Sequence, residues 1–455
     1  MNETKSDRGK GGDRRLLVRG LGWSGIGYPL NAGLLFVSQV LVAQLVAPGE
    51  YGSYTVAVSV FTVAALIAQL GLPHTLLRRA AAALSGGNES EARHEIISAL
   101  LVATGAAIIC GLLLGSPLGE EFFDATFPRL TLAAVAALIG IKSALRVIEN
   151  IVPEILRSFR DYSRATIFGQ LLTNLLFCLA LGVVLATATD ATVEDVLLIS
   201  AIASACALVP GLTAVTMKLR GPRTIRPSLR GSVEPALWLS TVGLAFVGQL
   251  DVLVVGSLGT SHDAALYSAA FRLALLVGMP LAAVNQVVTP LIAGWHARQM
   301  PRRIERTLRA TAGIALAGAL SVGAVYLVVG RSLLETLFGS FYGDAWGVLL
   351  ILAAGQIAQT YAGSCGFSLL MTGNHRAYAA IVAVSLPTTL VLQIVGYEVG
   401  GIEGLAVATA ATLSAQNIAQ MIVVRRRAGF STSADPRATA SEMVRAWRRR
   451  FGTRA

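Results

Sequence analysis

The chain has 455 residues, 54% of them from the hydrophobic set AVILMFWYC, only 14% charged, and a mean hydropathy of +0.64. A water-soluble chain carries about 25% charged residues, so this one cannot cover a water-facing surface and is excluded as a cytosolic enzyme. The net charge of +11 and pI of about 9.9 would point to nucleic acid in a soluble protein, a reading that the placement of the charges removes.

In chain order, apolar stretches long enough to cross about 30 Å of hydrocarbon fall at 16–45, 51–72, 96–115, 130–148, 165–186, 196–217, 234–257, 264–293, 310–329, 346–371, 379–396 and 402–424. They predict an all-α polytopic membrane protein with about twelve transmembrane helices. Lys142, Arg146 and Glu149 crowd the end of the fourth stretch, and its two cations are counted with the loop that follows. With a cytoplasmic N-terminus, nearly all of the 37 Lys and Arg fall in the two terminal arms and the even-numbered loops. The exceptions are Arg129 and Arg331 in outward loops and Arg272 within a span. The positive-inside rule fixes this orientation. The basic pI then expresses topology and contact with anionic lipids at the cytoplasmic face, not nucleic-acid binding.

The expected layout is a cytoplasmic N-terminal arm at 1–15, an N-lobe six-helix bundle at 16–217 and a cytoplasmic linker at 218–233 carrying Pro222 and Pro227. A C-lobe six-helix bundle at 234–424 and a basic cytoplasmic tail at 425–455 follow. In the tail, Met443, Val444, Trp447 and Phe451 share one face suited to the lipid surface; a disordered basic tail is the equal alternative. The expected location is the cell inner (plasma) membrane, multi-pass, with both termini cytoplasmic.

The chemistry-bearing motifs are sparse. Cys110, Cys178, Cys206 and Cys365 lie in or at apolar spans, without CxxC or a His partner at ligand spacing, and read as small buried hydrophobes. Gly9-Lys10-Gly11-Gly12 lacks the spacing of a phosphate loop. The outward loops are too short to hold an extramembrane catalytic domain. No enzyme activity, metal or cofactor is expected.

An internal repeat is visible instead. Phe36-Val37-Ser38-Gln39 returns as Phe246-Val247-Gly248-Gln249, Tyr54 as Tyr267, and Pro73 as Pro290, each Pro preceding a basic loop. Six spans per half give both halves one orientation, hence parallel repeats around a central cavity.

The residues carrying a family likeness are Pro48-Gly49-Glu50-Tyr51-Gly52, Leu70-Gly71-Leu72, Asp251 and Tyr267-Ser268-Ala269-Ala270-Phe271-Arg272-Leu273. Leu337-Phe338-Gly339, Leu370-Met371-Thr372-Gly373-Asn374 and Gly401-Ile402-Glu403-Gly404-Leu405-Ala406-Val407-Ala408-Thr409 complete the set. In order and spacing, over roughly residues 20–428, the chain resembles the polysaccharide-transport branch of the multidrug/oligosaccharidyl-lipid/polysaccharide flippase superfamily. The resemblance implies a two-lobed, V-shaped bundle that moves lipid-linked oligosaccharides across the bacterial inner membrane.

Polar residues inside spans are the candidate cavity residues. Arg272 and Asp251 lie about 12 Å and 9 Å from the outer ends of adjacent spans, so a structural charge pair between them is one reading. The other has Arg272 meeting a substrate diphosphate, for which a planar, permanently charged fork is suited. Helical spacing adds Met279 and Gln286 to the face of Arg272. Asn31, with Ser24 and Ser38, makes a polar stripe on the first span, and Gln39 and Gln249 are repeat-related. Gln249 and Asp251 are about 200° apart on a helix, so both face one cavity only if the helix is broken there.

The leading expectation is a flippase for a lipid-linked oligosaccharide, with a polyprenyl-diphosphate carrier, serving capsule, exopolysaccharide or other surface-glycan synthesis. Its partners would be the lipid-linked glycan, membrane lipids, and glycan polymerases or glycosyltransferases. A cation-coupled drug or metabolite antiporter of the same superfamily and a non-transporting scaffold of a glycan-synthesis complex are the alternatives. An antiporter needs an intramembrane carboxylate cluster, for which the sequence offers Asp251.

Overall fold

Helix starts follow from proline and from side-chain caps. The computed structural model describes residues 27, 29–187, 191–219, 238, 242, 246, 248–437 and 439. The N-terminal arm, the linker beyond Leu219, most of the first half of the seventh span and the amphipathic face at 443–451 lie outside the described residues. The chain divides into two compact units, 1–249 and 250–455.

In the first unit, α1 (Pro29–Leu45) leads into α2 (Pro48–Ala68), where Pro48 fills the first turn and needs no N–H partner. α3 (Leu72–Ser85) follows. Asn88 caps α4 (Glu89–Leu114) by accepting from the Glu91 amide at 3.2 Å. The short α5 (Pro117–Thr126) and a 3-10 turn (Ala133–Val135) precede α6 (Ala136–Ser158). α7 (Tyr162–Ala186) is kinked at Gly169, and α8 (Val193–Lys218) starts from a Thr192–Asp195 capping box.

The second unit comprises α9 (Leu250–Leu258), α10 (Ser261–Ala297), α11 (Pro301–Phe338), a 3-10 turn (Ser340–Ala345), α12 (Trp346–Ala362), α13 (Cys365–Met371) and α14 (His375–Arg427). α10 repeats the capping box with Thr260 and Asp263. Among the described residues, eight helices are long and apolar enough to cross a membrane. Large apolar side chains stand outward, with Leu112, Val209, Val328 and Val399 well exposed, while Ala, Gly and Ser fill much of the interior. This arrangement suits a bundle solvated by lipid rather than water. The protein is an all-α membrane protein.

Two details depart from the sequence reading. The helix drawn at 130–148 runs over 136–158, so Lys142 and Arg146 sit within a helix and not in a cytoplasmic loop. The span at 346–371 is two helices separated at Gly363, whose φ of 71° ends α12. The stretches at 379–396 and 402–424 are two helical arms of α14, as the sequence reading has them, parted at Gly400 and Gly401, where φ reaches 57°. The arms fold back so closely that a Cβ on Gly404 would lie 2.0 Å from the Gly396 carbonyl oxygen.

α6 is the centre of the first unit, packed by α2, α3, α4 and α8. Its approach to α4 depends on glycine: a Cβ on Gly140 would sit 2.4 Å from the Gly111 carbonyl oxygen. Gly140→Val is therefore expected to lower stability by about 1–3 kcal/mol through overpacking, read as a drop in the unfolding midpoint of the detergent-purified protein.

After Arg427 the chain turns back on its own unit. Phe430 is buried in an apolar cluster with Ile304, Leu308, Ala362, Leu369 and Val424, and Thr432 Oγ1 donates to the Ala362 carbonyl at 2.8 Å. The Ala434 amide donates to the Tyr361 carbonyl at 2.8 Å, and Asp435 pairs with Arg309 of α11 at 2.9 Å.

Candidate functional site

Each unit holds a polar cluster, and the one in the first unit is built on α6. Lys142, Arg146 and Glu149 stand at i, i+4 and i+7, the spacing that puts three side chains on one helical face. Lys142 is 3% exposed and Glu149 2%. The Lys142 ammonium donates to the Ser200 carbonyl at 3.2 Å and to the Ser204 hydroxyl, and lies 5.8 Å from the Phe61 ring centroid. Its distance to Glu149 Oε1 is 3.9 Å. Arg146 donates to Glu149 Oε2 at 3.3 Å, and the Thr173 hydroxyl donates to Oε1 at 3.3 Å. Two cations thus share one carboxylate. Pro153 sharpens the polarity here, because it cannot supply the N–H that the Glu149 carbonyl would accept in a regular helix.

A row of amides continues from this cluster. Gln170 Nε2 donates to Asn150 Oδ1 at 3.2 Å, and Asn174 Nδ2 donates to Asn31 Oδ1 at 2.9 Å. Gln170 lies at a kink in α7, beside Gly169 with its non-helical ψ of −141°.

The second unit gathers Asp251 of α9, Tyr267 of α10, and Gln393 and Thr409 from the two arms of α14. The Tyr267 hydroxyl donates to Asp251 Oδ2 at 3.1 Å and lies 3.3 Å from Thr409 Oγ1. Gln393 Nε2 reaches Asp251 Oδ1 at 3.3 Å and Thr409 Oγ1 at 2.9 Å. Asp251 is 5% exposed, and Gln393 Oε1 is buried without a hydrogen-bond partner.

Among the described residues Asp251 and Arg272 do not pair, which corrects the charge pair expected from their matched depths. The carboxylate is held by Tyr267 and Gln393 instead. Arg272 is partly buried, makes no ion pair among the described residues, and leaves its Nε–H without an acceptor. Met279 and Gln286, one and two heptads on, are exposed. Gln39 is buried with a partnerless Oε1, while Gln249 sits in the turn just before α9. Ser38 turns its hydroxyl to the Leu35 carbonyl at 2.8 Å, and Ser24 lies outside the described residues.

Sequence reasoning overlooked Lys142, Arg146 and Glu149 as a unit, although their 4- and 7-residue spacing on an apolar helix was the available signal. Gln393 and Thr409 gave less: only the Gly400-Gly401 pair hinted that they would meet.

The model of the family described as "Polysaccharide biosynthesis protein" matches residues 17–296. A curated relative from Haloferax volcanii, "Probable low-salt glycan biosynthesis flippase Agl15", is 23% identical over 208 residues. That alignment covers 46% of this chain and 44% of the relative, so the chain matches less than half of its length. The fold is similar to an inward-facing multidrug resistance MATE family transporter of the MOP superfamily, with a TM-score of 0.70 at 15% identity over 88% of this chain and 94% of the other. It is also similar to a MOP superfamily transporter from Pyrococcus furiosus, with a TM-score of 0.59 at 15% identity over 91% and 95%. With more than half of its length matched by the family model, this chain belongs to the polysaccharide biosynthesis protein family, on the fold of the MOP superfamily transporters.

Proposed function

We propose that the protein is a flippase that carries a lipid-linked oligosaccharide, on a polyprenyl-diphosphate carrier, across the cytoplasmic membrane by alternating access. It would serve capsule, exopolysaccharide or other surface-glycan synthesis, working beside glycan polymerases or glycosyltransferases and without enzymatic chemistry of its own. In this reading both termini are cytoplasmic, and twelve spans form two parallel repeats at 16–217 and 234–424 joined by the linker at 218–233. The observation that carries it is Arg272, a guanidinium inside an apolar helix with no protein anion beside it among the described residues. A charge in such a place is costly unless something compensates it, and a diphosphate matches its forked donors. Asn31, Gln39, Gln249 and Gln286 are the proposed neutral cavity residues. Membership of the polysaccharide biosynthesis family and the likeness to a protein named as a glycan flippase support the reading. Protein reconstituted into vesicles should speed the movement of a fluorescent lipid-linked oligosaccharide between leaflets, read with an external quencher. Movement no faster than in empty vesicles overturns it.

A cation-coupled antiporter is the second reading, favoured by Asp251. Its carboxylate has no cationic partner among the described residues and lies with the Tyr267 and Thr409 oxygens and the partnerless Gln393 Oε1. Oxygen ligands of this kind suit a hard cation. Asp251→Asn is then expected to abolish acceleration of transport by an imposed sodium or proton gradient while leaving exchange without a gradient intact. Unchanged gradient dependence removes Asp251 from coupling.

A further inference from the structure

We propose that the α6–α7 seam of the first unit is a binding site for an acidic sugar, with Arg146 on the sugar's carboxylate and the amides of Asn150, Gln170, Asn174 and Asn31 on its hydroxyls. The inference rests on the flippase reading and adds to it the class of glycan.

Three observations carry it. Lys142 and Arg146 share the single carboxylate of Glu149, so the cluster holds one more positive than negative charge inside a bundle of apolar helices. Lys142 is fully enclosed and spends its donors on Ser200 and Ser204, whereas the Arg146 side chain is 21% exposed and bonds only Glu149 among the described residues. A guanidinium has five N–H donors, so Arg146 keeps most of its fork for an outside anion. Asn150, Gln170, Asn174 and Asn31 are each partly exposed along the same two helices and α1. Amides facing hydrocarbon would be expensive, so the seam faces a polar ligand or water. Carboxamides both donate and accept, which is what sugar hydroxyls require.

The test is equilibrium binding to the full-length protein in lipid nanodiscs, with a short oligogalacturonide, a neutral cello-oligosaccharide of equal length, and farnesyl diphosphate as probes. The wild type is expected to bind the acidic oligosaccharide more tightly than the neutral one. Arg146→Gln should weaken the acidic oligosaccharide roughly tenfold or more, as for loss of a charge-assisted hydrogen bond, and leave the neutral sugar and farnesyl diphosphate unchanged. Arg146→Lys keeps a charge beside Glu149, so it guards against misfolding and should recover part of the loss. Asn150→Ala should weaken both sugars alike. Equal wild-type affinity for the two sugars, no effect of Arg146→Gln, or a loss confined to farnesyl diphosphate overturns the site. If the site fails while vesicle translocation of a lipid-linked oligosaccharide persists, the flippase reading stands without it; if translocation is absent, that reading fails first.

Discussion

Arg272→Ala should leave the protein in the membrane at wild-type amount or above, while glycan export falls roughly tenfold to a hundredfold. The two effects have one cause. An unpaired Arg within a span costs roughly 2.5–3.5 kcal/mol on insertion scales, so removing it relieves the fold. The same removal deletes a charge-assisted, two-pronged contact to diphosphate, which is worth about 1.5–3 kcal/mol of binding. Arg272→Lys should retain partial export, since a point charge attracts phosphate without the fork. Asp251→Asn should not rescue Arg272→Ala, because Asp251 is held by Tyr267 and Gln393 and not by Arg272. Surface glycan and protein level measured in the single and double variants decide the matter. A double variant that exports normally overturns the diphosphate role.

Glu149→Gln is the substitution expected to damage the fold most. It leaves Lys142 and Arg146 side by side in the bundle with no anion, and breaking a buried pair in this way costs about 3–5 kcal/mol. Lys142→Met should cost distinctly less, because Arg146 still neutralises Glu149 and the methionine fills the same space beside Phe61. Adding Lys142→Met to Glu149→Gln should recover part of the loss, leaving a single, partly exposed cation. Unfolding midpoints in detergent for the two singles and the double give the coupling directly. A Glu149→Gln protein as stable as the wild type shows that the carboxylate does not hold the bundle together.

Most of the described bundle was legible from hydropathy alone, because lipid-facing helices must be apolar along their outer surface and leave long runs in the sequence. α6 was the instructive failure. It is wrapped by other helices and meets little lipid, so nothing demands an apolar run, and its three charges moved the reading to a loop. Arg272 and Asp251 stood out as isolated charges in apolar runs, yet matched depth says nothing about azimuth. Asp251 turns to Tyr267, sixteen residues on, and to Gln393, 142 residues on. The Asn31–Asn174 bond joins residues 143 apart, a separation at which one sequence carries no pairing signal. Gly400-Gly401 was legible as a break, since only glycine readily takes a φ of 57°; which side chains the break would bring together was not.

The turn-back of residues 430–435 sets the order in which the second unit can be finished. Helix α12 ends at Ala362, and the last carbonyls of a helix have no partner within it. For Tyr361 and Ala362 the partners are the Ala434 amide and the Thr432 hydroxyl, the latter 70 residues further along the chain. During synthesis these carbonyls stay open while α13 and both arms of α14 are made. The last helix does not close them; the segment that follows it does so. Closure of this end of α12 therefore requires the chain through Ala434, and a chain truncated just after Arg427 would hold every described helix of the unit and still lack its closing clasp.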